Sequence, residues 1–272
     1  MNVDTLKTLG FVPVAYPVPL RERVLAAMAS WQGFCALPEP EKRKLSGGDR
    51  LKDFGYMFRN DAGATADRKE LFHVVRTNMG EFRRMVREVS DPRAGEFIEA
   101  INALIEASAP LVVEFARGVE REFGLSGFAD EVSGSQDNWT FRYLHYFGGD
   151  MLANAHADRG GFTLHLHESH PGGEYFGFDR AWHPWPVSDT QTIIFPSMAL
   201  QHRSHNALKA LWHRVLPTEE TRTAGRYSMV GFIDFPHSFR YNDAVKRLQD
   251  FPPGFNYDMP WDEFHSLFVP RV

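Results

Sequence analysis

The run His156-Ala157-Asp158 sets an imidazole and a carboxylate two positions apart, on one face of an extended strand and within reach of one ion. Alone the pair is a weak signal, because a chain with 12 histidines meets such spacings by chance. A third donor, His213, stands in the strand-like run Trp212-His213-Arg214-Val215, which a β-barrel would return to the same point. Two imidazoles and one carboxylate on one side of an octahedron leave three positions open, the facial arrangement of non-haem Fe(II) sites. A second pair, Arg226 and Ser228, follows His213 at the same two-residue spacing. A guanidinium fork beside a hydroxyl is suited to gripping a carboxylate, which points to an acidic co-substrate. Tyr146 shares a strand face with Arg142 and Leu144, and its phenol would donate to the same anion. Taken alone, Arg226 and Ser228 read as solvated strand residues; their order and spacing after His213 favour the anion grip.

These side chains need a scaffold that brings distant strands together. After about Gly134 the apolar period changes from 3.6 to 2: Trp139, Phe141 and Tyr143 alternate with polar neighbours, and Phe162 to His167 does the same. Further strands are expected at 191–195, 208–216 and 227–235, a spacing that suggests an antiparallel barrel or jelly roll. The region before reads as helical. Leu20, Val24, Met28 and Trp31 make one stripe after Pro19, a short helix is expected near 38–45, and Phe82, Met85, Val86 and Val89 mark another turn or two. A longer apolar period runs from Phe97 almost to Gly124, with Pro110 expected to kink or split it. Residues 47–67 read as a loop, and helical pieces are expected around 244–250 and 262–268.

Composition narrows the chemistry. The 272 residues are 43% hydrophobic and 24% charged, enough apolar material for a full core. With 30 Lys+Arg against 35 Asp+Glu and no basic run, a nucleic-acid partner is disfavoured and a small-molecule substrate favoured. The single Cys35 excludes an internal disulfide framework and a four-cysteine metal site, so a metal must be held by nitrogen and oxygen. No stretch of 18 apolar residues exists and the first residues are too polar for a signal peptide, so no membrane partner and a cytoplasmic location are expected. Nothing in the sequence points to a particular oligomeric state.

These pieces together resemble the isopenicillin N synthase-like Fe(II)/2-oxoglutarate-dependent dioxygenases. The matching segments are His156 to Leu166, Ser204 to Val215 and Arg226-Tyr227-Ser228, with Phe34 to Lys44, Gly55-Tyr56 and Asp67 to Phe72 similar to the family's N-terminal region. The resemblance covers roughly residues 20–236. It implies an α+β fold with a double-stranded β-helix (jelly-roll) core at 134–236, an N-terminal helical region at 1–133 packed on it, and a short C-terminal helical extension at 237–272. It implies Fe(II) on His156, Asp158 and His213, and 2-oxoglutarate held by Arg226 and Ser228. Tyr146 falls where the family carries a co-substrate tyrosine, although Leu144-His145-Tyr146-Phe147 replaces the usual Asn-Tyr-Tyr-Pro. The implied reaction uses O2 to hydroxylate, desaturate or cyclise a small molecule, with release of succinate and CO2. The chain departs from the family at Ser197-Met198, where Gly-Asp is usual, and at Ser204-His205-Asn206, where Thr-Asn-Gly is usual.

Alternatives stay open at this point. An Fe(II) oxidase of the same fold that does not use 2-oxoglutarate carries the same Arg-x-Ser pair. A catalytically silent binding fold and a zinc hydrolase are further readings, the latter disfavoured because no glutamate is placed as a general base. His165 and His167 form an HxH pair that would make a second metal site with Glu168 or His170, though ordinary strand positions are the better reading. His202 and His205 are expected at the surface. Tyr56, Phe58 and Phe72 are pocket candidates for which core packing is the better account.

Overall fold

The computed structural model describes residues 1–47, 54–59, 68–147 and 153–236; the helices expected after 237 lie outside them. The strands are β1 (Val12–Ala15), β2 (Gly55–Arg59), β3 (Lys69–Val75), β4 (Thr140–Tyr146), β5 (Ala153–His156), β6 (Phe162–Glu168), β7 (Gly173–Phe176), β8 (Trp182–Pro184), β9 (Gln191–Pro196), β10 (His213–Val215) and β11 (Arg226–Ile233). The helices are α1 (Val18–Cys35), α2 (Glu39–Arg43), α3 (Met79–Met85), α4 (Pro92–Phe123), α5 (Phe128–Gly134), α6 (Met198–Arg203) and α7 (Glu219–Ala224). Seven strands pair in the order β1-β9-β6-β11-β4-β3-β2, and four in the order β5-β10-β7-β8. From β4 onward the chain passes back and forth between the sheets, the antiparallel winding of a double-stranded β-helix.

The two faces of the large sheet do different work. Its outer face carries Tyr143, Leu164 and Met229, which pack with Trp31 of α1 and Phe97 and Phe115 of α4 in one core. Each such side chain, fully buried, contributes about 1.5–3 kcal/mol. Trp31 also donates its indole N–H to the Leu144 carbonyl at 3.0 Å, tying α1 directly to β4. The inner face meets the small sheet: Leu71, Leu144 and Tyr146 touch Val215 of β10, and Ile193 and Phe195 touch Trp185 and Leu211. The candidate site lies between the sheets.

Local chemistry sets the helix ends. Asp91 caps α4 by accepting the Arg93 N–H, Pro92 starts the helix, and Gly124 ends it at φ 65°, a left-handed position that suits glycine. Pro110 does not split α4. Its ring is exposed, and buried Leu104, Ile105, Leu111 and Val112 on either side hold the helix to the sheet across the missing hydrogen bond.

The region before residue 134 also supplies β1, β2 and β3, three strands where helices and loop were expected. β1 and β2 have four and five residues, too few for a period-2 signal, and β3 is buried on both faces and so does not alternate. The strand expected at 208–216 shrinks to three residues, and β7 and β8 add two short strands to the small sheet.

Candidate functional site

β5 ends on His156, and β10 runs antiparallel to it with His213 directly opposite. Asp158 follows two residues after His156. Its carboxylate lies 3.7 Å from His156 Nε2 and 3.9 Å from His213 Nε2, and one ligand atom from each residue falls within 4.8 Å of the others. His213 Nδ1 sits 3.1 Å from the Leu211 carbonyl; a carbonyl only accepts, so Nδ1 carries a proton and Nε2 is the nitrogen that faces Asp158. Thr163 Oγ1 donates to Asp158 Oδ2 at 2.6 Å and contacts Ser197 Oγ at 3.2 Å. The Asp158 carboxyl is buried, which raises its pKa, but His213, His156 and the Thr163 hydroxyl outweigh burial and hold it below the ordinary carboxylate range. His156 is the more open corner, with a side chain 36% exposed against 8% for His213. The turn behind this corner needs glycine, since a Cβ on Gly161 would lie 2.6 Å from the Phe235 ring and 2.8 Å from the Ile233 carbonyl.

Arg226 opens β11 opposite Tyr146, and Ser228 lies opposite Leu144 and Glu168. All three expected anion-site residues, Arg226, Ser228 and Tyr146, are buried. Gly225, at φ 76°, turns the chain into β11, where a Cβ would strike the Tyr146 carbonyl at 2.6 Å. Arg226 already has a carboxylate. One Nη2 hydrogen goes to Glu168, and Nε donates to the His170 carbonyl at 3.1 Å. Glu168 also accepts from Trp185 Nε1 at 3.0 Å and meets His165 Nε2 at 3.2 Å. Burial raises the Glu168 pKa, but Arg226 and His165 pull it below its usual value.

Sequence reading treated Glu168 only as a rival metal ligand, and a register shift explains its actual place. Ser228 pairs with Glu168 and Met229 with His167, but Val230 pairs with His165, leaving Leu166 as an extra residue in β6. Strict alternation would put Glu168 on the helix side with Leu164 and Leu166. The bulge instead turns it inward beside Ser228, while His167 falls opposite Met229, a residue of the outer core. His165 and His167 therefore do not present one face. His165 packs on Trp185 with ring centroids 4.4 Å apart, and His167 reaches Asp189 at 3.4 Å.

Two further groups were not singled out from sequence. Arg142 stacks over the Phe232 ring at 4.6 Å, donates from Nε to His73 Nε2, and lies within electrostatic reach of Asp158; burial lowers its pKa despite that carboxylate. On the helix side, Cys35, Glu70 and His145 converge, but Glu70 already accepts from Lys42 and from Tyr56 at 2.9 Å and meets His145 Nδ1 at 2.8 Å. The Lys42 ammonium supplies the positive charge there, so the cluster is a structural ion-pair network. Tyr56 and Phe72 belong to the core, Phe58 stands half-exposed against Phe147 at 5.6 Å, and His202 and His205 are exposed.

Residues 140–235 match the family model of the 2OG-Fe(II) oxygenase superfamily. The match makes this stretch similar to a 2OG-Fe(II) oxygenase core. It begins at β4 and ends just past β11, so it spans the triad and the Arg226 pocket. No curated protein matches the chain by sequence. A solved structure of a protein assigned to the 2OG-Fe(II) oxygenase family from Caulobacter crescentus is 24% identical, covers 85% of this chain and 79% of its own, and superposes with a TM-score of 0.70. The Arabidopsis thaliana dioxygenase for auxin oxidation 1, solved with 2-oxoglutarate, is 18% identical over 88% of both chains with a TM-score of 0.69. A full-length Neurospora crassa protein solved in complex with α-ketoglutarate is 18% identical, covers 86% of this chain and 78% of its own, and gives 0.68. At these identities the structural likeness speaks to the fold. The superfamily whose model this stretch matches uses Fe(II), 2-oxoglutarate and O2. No helix among the described residues is long and apolar enough to cross a membrane.

Proposed function

We propose that the protein is a dioxygenase of the isopenicillin N synthase-like group, in which His156, Asp158 and His213 hold Fe(II) and Arg226, Ser228 and Tyr146 receive 2-oxoglutarate. The observation that carries this reading is the donor set itself: two imidazole nitrogens and one carboxylate oxygen within 4.8 Å of one another inside the oxygenase core. That set fits a mononuclear Fe(II) with open positions. When bound, iron with 2-oxoglutarate supplies the oxidising power for O2 chemistry at a substrate C–H bond, with succinate and CO2 as by-products. The chain's own residues do the positioning. The Leu211 carbonyl fixes the His213 tautomer, Thr163 fixes the carboxylate of Asp158, and the apolar walls Leu71, Leu144, Val215 and Phe195 exclude water.

A guanidinium has five N–H donors, and Glu168 and His170 take two of those on Arg226. The rest, with the Ser228 hydroxyl, remain the donor set for a co-substrate carboxylate. The substrate is read as a small molecule that is hydroxylated, desaturated or cyclised, in a cytoplasmic enzyme without a nucleic-acid partner. The catalytic unit is taken as 134–236, with 1–133 packed on it and 237–272 as an extension.

A second reading, an Fe(II) oxidase of the same fold that does not consume 2-oxoglutarate, draws support from Glu168, which already neutralises Arg226. The deciding experiment screens small molecules for stimulation of 2-oxoglutarate turnover by the Fe(II)-loaded protein. Succinate formed in step with an oxidised product supports the first reading; product without succinate selects the second. An Asp158→Ala variant that keeps full iron occupancy and turnover would sink the ligand assignment.

A further inference from the structure

Glu168 is given no role of its own in the main reading above, yet it is a buried and well-satisfied acid between the sheets. Its side chain is 7% exposed and meets three groups from three places in the fold: Arg226 of β11, the Trp185 indole after β8, and His165 of its own strand. The bulge at Leu166 delivers it to the inner face, opposite Ser228 and beside the guanidinium that the proposed function assigns to the co-substrate. Any carboxylate arriving at Arg226 therefore meets a guanidinium whose charge is already balanced. Two carboxylates must then share one buried cation, an arrangement that disfavours the second negative charge.

We propose that Glu168 determines the co-substrate specificity of this site: it weakens binding of the dicarboxylate 2-oxoglutarate and lets the pocket accept 2-oxo acids whose tail is uncharged. The proposal rests on the assignment of Arg226 to the co-substrate. A neutral tail keeps its hydrogen bonds to the Arg226 N–H groups and to Ser228 without adding a charge beside Glu168. An isosteric amide, 2-oxoglutaramate, is the natural probe, because it differs from 2-oxoglutarate only in that charge.

The test is calorimetric binding of both compounds to protein loaded with Mn(II) in place of Fe(II), which reads affinity without turnover. In the unaltered protein the two should bind within about tenfold of each other, since the Arg226–Glu168 pair is net neutral toward the tail. In Glu168→Gln, which keeps the shape and an acceptor for Trp185, 2-oxoglutarate should bind at least about tenfold tighter while the amide changes by less than about threefold. A preference for 2-oxoglutarate above about a thousandfold in the unaltered protein overturns the proposal without recourse to any variant. Unchanged or weaker 2-oxoglutarate binding in a folded Glu168→Gln protein overturns it as well. If neither compound binds the Mn(II)-loaded protein, the assignment of Arg226 to a co-substrate fails and takes this proposal with it, a result distinct from binding without discrimination by Glu168.

Discussion

Thr163→Val tests whether the triad is held in shape for a metal. Valine keeps the branched outline of threonine inside β6 and removes only the hydroxyl that donates to Asp158 Oδ2 at 2.6 Å. A hydrogen bond to a charged acceptor is worth about 1.5–3 kcal/mol, and the short distance at a buried carboxylate favours the upper part of that range. At roughly 1.4 kcal/mol per tenfold, loss of the bond should weaken metal binding by about 10- to 100-fold. Groups that orient a metal ligand typically show losses of about that size. The Ser197 hydroxyl, 3.2 Å from Thr163 Oγ1, loses a partner too, so Thr163→Ser serves as the control that restores the hydroxyl. The assay is Mn(II) or Fe(II) affinity under anaerobic conditions, alongside thermal unfolding of the apo protein to show that the fold is intact. A folded Thr163→Val protein that binds metal within about threefold of the unaltered chain would refute the reasoning, because an unoriented carboxylate would then bind as well as an oriented one.

Other consequences follow from the same structure. Lys42→Met strands the buried Glu70 carboxylate and should cost about 3–5 kcal/mol, seen as a fall in Tm of roughly 6–20 °C by calorimetry. Although burial raises the Glu70 pKa, His145 and Lys42 hold it below its ordinary value of 4.5, so the network should stabilise the fold fully above that pH and lose its contribution as pH falls through the lower folded-state pKa, which urea titrations at stepped pH would follow. Arg226→Leu should destabilise by about 3–5 kcal/mol by leaving the Glu168 carboxylate buried without its guanidinium, and Arg226→Leu with Glu168→Leu should recover most of it, a double-mutant cycle in chemical denaturation being the check. His213→Ala should abolish Fe(II) retention through gel filtration while leaving the far-UV circular dichroism unchanged, since β10 is short and peripheral to the helix-side core.

The strands after residue 134 were legible for a physical reason. β4, β6, β9 and β11 each bury one face against helices and turn the other toward the small sheet, so period-2 alternation survives in their sequences and locates Arg142, Leu144 and Tyr146, and Arg226 and Ser228, on common faces. His156, Asp158 and His213 stood out because the donor types that can hold a metal are few, and the structure brings the three together. β1 to β3 were not legible, since strands of four and five residues carry too few alternations and a strand buried on both sides carries none. The Lys42–Glu70–His145 network joins residues of α2, β3 and β4 that no local pattern links.

Glu168 shows how a pair of site residues can be located from sequence while a charge beside them is missed. From Phe162 to Leu166 the alternation is regular, and extending it one step sends Glu168 to the helix side among Leu164 and Leu166, where an unpaired carboxylate would be costly. The residue's burial beside Arg226 requires one extra backbone residue, and the bulge at Leu166 supplies it. Nothing in Leu-His-Leu-His-Glu marks a bulge, because neither a glycine nor a proline stands there; its cause is long-range, in the way β11 pairs on one side and Thr192 of β9 and Tyr16 hydrogen-bond the carbonyls of His165 and Leu166 on the other. A single inserted residue thus converts an Arg-x-Ser pair that looked like an open anion grip into one half of an ion pair. The consequence is chemical as well as structural: the guanidinium proposed to grip a co-substrate carboxylate already faces a buried carboxylate that strict alternation places on the other face.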